Sequence, residues 1–145
     1  MHLCDESIDL WTIPLNDIGD RFQDHVQSLS PEERQRAARF RNSKDSRRFT
    51  LARGSLRSIL SQYLEAPANI IQLSYGAHGK PRLAKTHQSP LKFNLSHSGD
   101  YALCALTKQH SIGIDIEKIR NDDPDHYLRL ATRFFSRKEF EAIKV

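Results

Sequence analysis

The chain has 145 residues, of which 38% are hydrophobic and 28% are charged. These proportions are typical of a globular protein, and the low content of glycine and proline, six of each, excludes collagen-like and generally disordered chains. No apolar run approaches the roughly 20 residues of a membrane span. Two cysteines, Cys4 and Cys104, are too few for a disulfide framework and lack the CxxC spacing of a zinc site. We therefore expect a cytoplasmic protein with a core of modest size.

The positive charge is concentrated in residues 31–60, which carry nine basic residues against three acidic ones. Such a segment predicts an anionic partner, either a phosphate group, a nucleic acid or an acidic protein surface. A solvated helix face rich in arginine would give the same composition without any ligand. A nucleic-acid-binding module therefore stays open as an alternative function, although the sequence has no RRM, KH or zinc-finger signature.

The first half of the chain predicts one strand and three helices. Apolar and polar residues alternate in the strand, whereas apolar residues recur at spacings of three and four in the last helix. The second helix starts with a capping-box pattern, in which Ser30 precedes Pro31 and Glu33. The predicted bounds are 8–13 for the strand, about 16–29 and 30–40 for two helices, and 43–63 for the third, capped by Ser43 or Asp45.

The second half predicts mostly strands, so the chain as a whole belongs to the α+β class. The turn signal Ser98-Gly99-Asp100 separates two strands, which we expect to pair back on each other. Ser136, with Glu139 at the third helical position, predicts the start of a last helix. The predicted strands cover 71–75, 91–96, 101–106 and 111–117, a loop covers 76–81, and a helix covers 125–134.

The most distinctive local pattern is Gly113-Ile114-Asp115-Ile116-Glu117. On a strand, Asp115 and Glu117 would point to one side, whereas the isoleucines would face the core. Neighbouring carboxylates repel each other unless a cation neutralises them, and Mg²⁺ prefers such oxygen ligands together with phosphate and water. The pair therefore predicts a magnesium site, although the polar face of a half-exposed strand would have the same pattern.

A second polar cluster occupies residues 93–99, with the sequence FNLSHSG. Its hydroxyls, imidazole and glycine turn offer several hydrogen-bond donors to a phosphate. Ser96 and His97 are not expected to act as a nucleophile and its base, because adjacent strand residues point to opposite faces. The GxSxG motif of many hydrolases is also absent. A polar turn without a ligand remains the alternative interpretation.

A third pattern is His78-Gly79-Lys80-Pro81. Gly79 would let the backbone approach a ligand closely, and Lys80 would supply a positive charge. It is not a P-loop, because the GxxxxGK[ST] pattern is missing. By itself, the segment is equally compatible with an ordinary surface turn.

In combination, these patterns resemble the motifs of the Sfp-type 4'-phosphopantetheinyl transferases. The order GKP, FNLSHSG, IGIDIE and RFFSRKEF matches the family, and residues 30–40 look like its SPE…RRF segment. Each motif is short, but four of them in the same order and spacing are specific. The resemblance covers most of the chain.

The resemblance implies an α+β fold with two similar lobes related by a pseudo-two-fold axis. Residues 1–109 would form the first lobe and residues 110–145 the start of an incomplete second lobe, with coenzyme A and Mg²⁺ between them. It implies an enzyme that moves the 4'-phosphopantetheine arm of coenzyme A to a serine of an acyl or peptidyl carrier protein. The reaction would be that of a holo-acyl-carrier-protein synthase, with adenosine 3',5'-bisphosphate as the second product.

The resemblance also implies roles for individual residues. Asp115 and Glu117 correspond to the family's catalytic, magnesium-binding acids, and Glu139 corresponds to the acid of its FFSxxE motif. His97 is expected at the 3'-phosphate of coenzyme A, and Lys80 near the other phosphates. The full set expected to bind coenzyme A is Arg36, Arg48, Lys80, Ser96 and His97, with Arg41 and Arg53 as weaker candidates.

One motif of the family is absent from the sequence. In the family, a WxxKExxxK segment follows FFSxxE and provides a further metal-binding glutamate and a lysine at the phosphates. This sequence does not contain that segment. We therefore expect a chain that is cut short, with an active full-length parent and an inactive fragment in the chain itself.

Overall fold

The computed structural model describes residues 1, 3–16, 22–76, 79–119 and 125–143, without the side chain of residue 143. Strands and α-helices alternate irregularly along these ranges, with short 3₁₀ turns at Ala68–Ile70 and Lys85–His87. In chain order the elements are β1 (Asp9–Pro14), α1 (Phe22–Ser28), α2 (Pro31–Ala38), α3 (Ser43–Leu64), β2 (Leu73–Tyr75), β3 (Pro81–Leu83), β4 (Lys92–Ser98), β5 (Tyr101–Thr107), α4 (His126–Phe134) and α5 (Arg137–Ile143).

β1, β5 and β4 form an antiparallel sheet in that order, which confirms the predicted hairpin between the last two strands. Trp11 lies opposite Cys104, and Phe93 lies opposite Leu106. Because alternate strand residues share a face, these side chains project together into the hydrophobic core. Apolar residues of α3 complete that core, namely Leu51, Ala52, Leu56, Ile59 and Leu60.

The residue that caps the start of α3 differs from the prediction. For α3, the N-cap is Asn42, whose Oδ1 accepts a hydrogen bond from the N–H of Lys44 at 2.8 Å. The prediction of Ser43 or Asp45 as the cap is therefore wrong, because Asn42, one residue before Ser43, already accepts a hydrogen bond from an N–H of the first turn. The predicted start of α1 is at residue 16 or 17, and residues 17–21 lie outside the described residues.

α2 begins with the predicted capping box. The Ser30 hydroxyl accepts a hydrogen bond from the N–H of Glu33 at 3.2 Å, and the N–H of Ser30 donates to Glu33 Oε2 at 2.9 Å. This reciprocal pair satisfies two N–H groups that would otherwise lack a partner at the helix start. The helix ends at Ala38, slightly before the predicted end at Phe40.

Glu33 also belongs to a buried ionic cluster between α2 and α3. Its carboxylate accepts a hydrogen bond from Arg57 Nε at 2.7 Å, lies 3.4 Å from Arg53 Nε, and accepts the Tyr75 hydroxyl at 3.2 Å. Arg57 also donates to two main-chain carbonyl oxygens at 3.0 and 2.7 Å. Burial disfavours the charged guanidinium and lowers the pKa of Arg53. Two arginines of the basic segment, Arg53 and Arg57, therefore form internal ion pairs with Glu33.

β2 and β3 form a short antiparallel hairpin, with Leu73 opposite Leu83. The predicted loop at 76–81 is wrong at its end, because Pro81 is the first residue of β3. Proline is tolerated at the first position of a strand, where its missing N–H removes no internal hydrogen bond. Glycine and proline therefore suggested a longer loop than the one that forms.

The prediction of a strand at 111–117 is also wrong. These residues are extended, but they are not paired with any strand in the described part of the chain. Ile112, Ile114 and Ile116 are half-buried, whereas Asp115 and Glu117 are exposed. An extended segment that lies along a surface produces the same alternation as a paired strand, so the pattern cannot distinguish the two.

α4 and α5 confirm the two helices predicted near the end of the sequence. Together with the antiparallel strands they confirm the α+β class. Within the described ranges, no helix has both the length and the apolar character needed to cross a membrane.

Candidate active site

Two of the sequence motifs meet where β4 approaches the acidic segment, which we define as residues 112–118. The Ser96 hydroxyl donates a hydrogen bond to Asp115 Oδ1 at 2.7 Å. A hydrogen bond to an ionised carboxylate is stronger than one between neutral groups. The structure therefore joins a residue predicted to bind coenzyme A with one predicted to bind the metal.

The acidic segment is held along β4 by side chains. Alternate main-chain N–H groups of the segment donate to alternate polar side chains of the strand. Because both sets are spaced by two residues, the segment runs in the same direction as β4. The pairs are Ile114 with Asn94 Oδ1 at 2.8 Å, Ile116 with Ser96 Oγ at 3.3 Å, and Lys118 with Ser98 Oγ at 2.9 Å.

Asp115 and Glu117 are suited to a metal that is shared with a ligand. Both side chains are exposed. Among the described residues, no group of three histidine, cysteine, aspartate or glutamate side chains is arranged to hold a metal. Mg²⁺ commonly binds one or two carboxylates and completes its shell with phosphate oxygens and water. The two carboxylates therefore fit a magnesium ion bound together with a phosphate-bearing ligand.

Lys80 reaches the start of the acidic segment from the β2–β3 turn. Its Nζ donates to the carbonyl oxygen of Ile112 at 3.2 Å. It also lines a cavity of about 340 Å³ with Arg82 and Lys92, and the remaining lining is Leu83, Leu91, Phe93, Ser111 and Ile112. The three cations make this side of the site suitable for an anionic group. His78, which belongs to the same sequence motif, lies outside the described residues.

Arg48 reaches the turn between β4 and β5. Its Nη2 donates to Asp100 Oδ1 at 2.5 Å, and this hydrogen bond is the main reason why the pKa of Asp100 is lowered. Lys44 and Lys118 also lower the pKa of Asp100 through their positive charges. Asp100 and Glu117 line the same cavity of about 460 Å³. The predicted coenzyme A residue Arg48 thus contacts Asp100, a residue that lines this cavity together with the end of the acidic segment.

Ser96 and His97 point to opposite faces of the sheet, as expected for adjacent strand residues. In the register of the hairpin, Ser96 lies opposite Leu103 and His97 lies opposite Ala102. His97 is exposed on the face shared with Phe93, whereas Ser96 contacts the acidic segment on the other face. The two side chains do not form a nucleophile and base.

The remaining arginines differ in their availability to a ligand. Arg36 is exposed, and its guanidinium carbon lies 5.3 Å from the centroid of the Phe49 ring. Arg41 is exposed as well. Arg53 is only 7% exposed and lies beside Glu33. Arg36 therefore remains a candidate for phosphate binding, whereas Arg53 is part of the internal cluster.

Glu139 forms the capping box of α5. Its Oε2 accepts hydrogen bonds from the hydroxyl and the N–H of Ser136 at 2.7 and 2.9 Å. The hydroxyl hydrogen bond, followed by that of the backbone, lowers the pKa of Glu139. A catalytic role would therefore depend on the other carboxylate oxygen or on release of the cap.

Asn94, Ser98 and Lys118 were not given roles from the sequence, although all three take part in holding the acidic segment. For the residues of β4, the sequence signal was alternation, because Asn94, Ser96 and Ser98 occupy every second position of the strand. A polar face on a strand with a well-defined apolar face indicates hydrogen-bonding groups that are available to another segment.

Residues 16–109 match the family model described as 4'-phosphopantetheinyl transferase, N-terminal. The match begins just after β1 and ends after β5. It therefore includes Arg36, Arg48, Lys80, Ser96 and His97, and it accounts for more than half of the chain.

Several curated proteins are similar to the chain. The 4'-phosphopantetheinyl transferase HetI of Nostoc sp. is 42% identical over 144 residues, which cover 98% of the chain and 60% of HetI. The transferase Sfp of Bacillus subtilis is 36% identical over 77% of the chain and 47% of Sfp. The human L-aminoadipate-semialdehyde dehydrogenase-phosphopantetheinyl transferase is 36% identical over 82% of the chain and 40% of its own length.

The chain thus spans between 40% and 60% of the length of these relatives. The family model covers the helices and strands that carry the predicted phosphate-binding residues. Together these similarities confirm the resemblance seen in the motifs, and the chain belongs to the 4'-phosphopantetheinyl transferase family.

Proposed function

We propose that the chain supplies the coenzyme A and metal sites of an enzyme that transfers the 4'-phosphopantetheine arm to a serine of a carrier protein. The serine oxygen bonds to the phosphorus that carries the arm, and the bond from that phosphorus to the bridging oxygen breaks. Adenosine 3',5'-bisphosphate leaves with the bridging oxygen, and the serine proton passes to a base. The names of the relatives, which are phosphopantetheinyl transferases, support this class of reaction.

The observation that carries the proposal is the hydrogen bond between Ser96 and Asp115. It brings the polar end of β4, which would receive a phosphate, to the carboxylate that would receive the metal. A reaction at a pyrophosphate needs both groups within a few ångströms, because the metal neutralises the charge of the same phosphates that the protein positions.

The phosphates of coenzyme A would be bound by side chains from four parts of the fold. Lys80 would approach the pyrophosphate from the β2–β3 turn, and His97 would bind the 3'-phosphate at the end of β4. Arg36 on α2 and Arg48 at the start of α3 would add positive charge. Binding a phosphate at Arg48 would compete with its present ion pair to Asp100, so we expect that pair to rearrange.

Asp115 and Glu117 would hold Mg²⁺ with the help of the pyrophosphate oxygens. When bound, the ion would neutralise the negative charge of the pyrophosphate and favour departure of the bisphosphate. Ser96 restrains the carboxylate of Asp115, which reduces the freedom that would otherwise be lost on binding. Glu117 lines the adjoining cavity, where it remains open to solvent.

We propose Glu139 as the acid that assists the metal or the transfer of the serine proton. In this structure its Oε2 caps α5, and among the described residues no third histidine, cysteine, aspartate or glutamate joins Asp115 and Glu117 in a metal-binding group. We therefore expect the 145-residue chain to bind coenzyme A without detectable transfer. Incubation with labelled coenzyme A, Mg²⁺ and a panel of carrier proteins tests this expectation, and labelling above background would contradict it.

We propose acyl or peptidyl carrier domains as acceptors, in a reaction of the holo-acyl-carrier-protein synthase type. We also propose that residues 1–109 form the first lobe and residues 110–145 the start of the second, which is supported by a family match that ends at residue 109. Cys4 and Cys104 are free thiols, which is compatible with the reducing cytoplasm in which we place the enzyme.

Nothing in the comparisons supports the alternative of a nucleic-acid-binding module. Part of the charge that suggested it is internal, because Arg53 and Arg57 are buried with Glu33. Calorimetric titration of the chain with coenzyme A and with random-sequence DNA, each at several salt concentrations, tests the proposal. We expect saturable binding of coenzyme A that Mg²⁺ strengthens. Salt-dependent binding to DNA that is stronger than binding to coenzyme A would contradict it.

A further inference from the structure

We infer that Asn94 and Ser98 are positioning residues of the metal site. Together with Ser96 they form a hydrogen-bonded ladder that holds the acidic segment so that Asp115 and Glu117 present their carboxylates side by side to a divalent cation. The role of the cation rests on the proposed function, whereas the ladder itself belongs to the structure of the chain.

The ladder is the means by which the acidic segment satisfies its inward main-chain N–H groups. A backbone N–H that has left water needs an acceptor, and no strand among the described residues pairs with the segment to supply carbonyl oxygens. The side chains of β4 supply the acceptors at 2.8, 3.3 and 2.9 Å. The acidic segment is therefore held to β4 by side chains in place of main-chain carbonyl groups.

The spacing of the ladder fixes which residues of the acidic segment face outward. A shift of one residue would expose Ile114 and Ile116 and bury Asp115 and Glu117. Polar acceptors at every second position of β4 match N–H groups at every second position of the segment. This match disfavours a shift of one residue, because the N–H groups that now donate to β4 would then point away from its acceptors.

Contacts at both ends oppose a shift of two residues. At the start of the segment, Lys80 Nζ donates to the carbonyl oxygen of Ile112 at 3.2 Å. At its end, the Lys118 side chain lies so close to Gly99 that a Cβ there would be 2.9 Å from Lys118 Cδ. The Tyr127 hydroxyl also approaches the carbonyl oxygen of Lys118 at 3.4 Å. The register is therefore set along the segment and at both of its ends.

Hydrogen exchange measures the ladder without reference to any ligand. Asn94→Ala and Ser98→Ala each remove one acceptor, and Thr12→Ala removes an exposed hydroxyl elsewhere on the same sheet as a control. We expect the amide of Ile114 to exchange about 2- to 10-fold faster in Asn94→Ala, and that of Lys118 similarly faster in Ser98→Ala. Ser98→Thr keeps the hydroxyl and should restore the parent rate. Circular dichroism verifies that each variant is folded.

Paramagnetic broadening by Mn²⁺ in the presence of coenzyme A measures the effect on the metal site. The amide signals of Asp115 and Glu117 report the ion directly. We expect Asn94→Ala and Ser98→Ala to need about 2- to 10-fold more Mn²⁺ for the same broadening, whereas Ser98→Thr and Thr12→Ala should match the parent. A purely structural role would leave this Mn²⁺ dependence unchanged in folded variants.

The outcomes separate the inference from the proposed function. Parent-like amide exchange in both alanine variants would overturn the ladder, whatever the metal does. Faster exchange with unchanged Mn²⁺ dependence would overturn the positioning role while leaving the proposed metal site in place. Absence of Mn²⁺ broadening in the parent itself would overturn the proposed metal site and, with it, the positioning role. If Asn94→Ala does not fold, Ser98→Ala and Ser98→Thr decide the question from the other end of the ladder.

Discussion

His97 is the residue whose proposed contact can be tested most selectively, because one phosphate distinguishes two available ligands. His97→Ala should weaken binding of coenzyme A by about 1.5–3 kcal/mol, since it removes a hydrogen bond to a charged group. Binding of 3'-dephospho-coenzyme A should change much less. Calorimetry with both ligands measures the difference, and His110→Ala, at another exposed histidine, serves as the control. Equal losses for the two ligands would show that His97 does not contact the 3'-phosphate.

Glu33 and its neighbour Glu32 separate a buried charge from an exposed one. Glu33 is 3% exposed and neutralises two buried arginines, so Glu33→Ala should lower the free energy of unfolding by about 3–5 kcal/mol. Glu32 is exposed, and Glu32→Ala should change that free energy by no more than about 1 kcal/mol. Urea unfolding of both variants measures the contrast. Similar losses of unfolding free energy in the two variants would show that the contacts of Glu33 with Arg53 and Arg57 add little to stability.

The two cysteines should differ in their reactivity towards a thiol reagent, and Cys104 should make the stability of the fold depend on pH. Burial raises the pKa of the Cys104 thiol to about 12, whereas Cys4 is exposed. A thiol reagent should therefore modify Cys4 in the native protein and reach Cys104 only after unfolding. Since an unfolded thiol titrates near pH 8.5, the stability contributed by protonated Cys104 is complete below about pH 8.5. It is lost as the pH rises towards 12. Rapid modification of both thiols in the folded protein would contradict this.

At the scale of elements, Gly54 determines how closely α1 and α3 can approach. A Cβ at Gly54 would lie 2.5 Å from the Cβ of His25 and 2.8 Å from its Cα. Gly54→Ala should therefore lower the free energy of unfolding by about 1–3 kcal/mol, although the same change usually stabilises an exposed helix. Gly76→Ala, where the nearest atom is 4.0 Å away, is the control and should have little effect. A higher melting temperature for Gly54→Ala than for the parent would show that α1 can move away from α3 without loss of stability.

Most elements were predictable because their signals are local. The capping box at Ser30 located α2, and the glycine turn at Gly99 located the β4–β5 hairpin. The strand at 111–117 was predicted wrongly because alternation reports which side chains face inward, and not what the backbone bonds to. β3 was missed because Pro81 resembles a loop residue when its partner across the hairpin is unknown.

At the scale of the whole molecule, motif order identified the family, but three-dimensional structure decided how each charge is used. The sequence placed Asp115 and Glu117 on one exposed side, as observed. It did not reveal that the Ser96 proton is donated to Asp115, or that Arg53 lies beside Glu33. Such pairings join residues that are distant in the chain, and the local composition around each of them is the same with or without its partner.

Calorimetry of coenzyme A with and without Mg²⁺ tests whether Asp115 and Glu117 bind a metal together with coenzyme A. In the parent chain we expect Mg²⁺ to strengthen binding. Asp115→Asn and Glu117→Gln should abolish most of that gain while retaining binding in the absence of the metal, because the cationic contacts to the phosphates remain. No binding of coenzyme A by the folded parent, or an undiminished effect of Mg²⁺ in both variants, would contradict a metal site at Asp115 and Glu117.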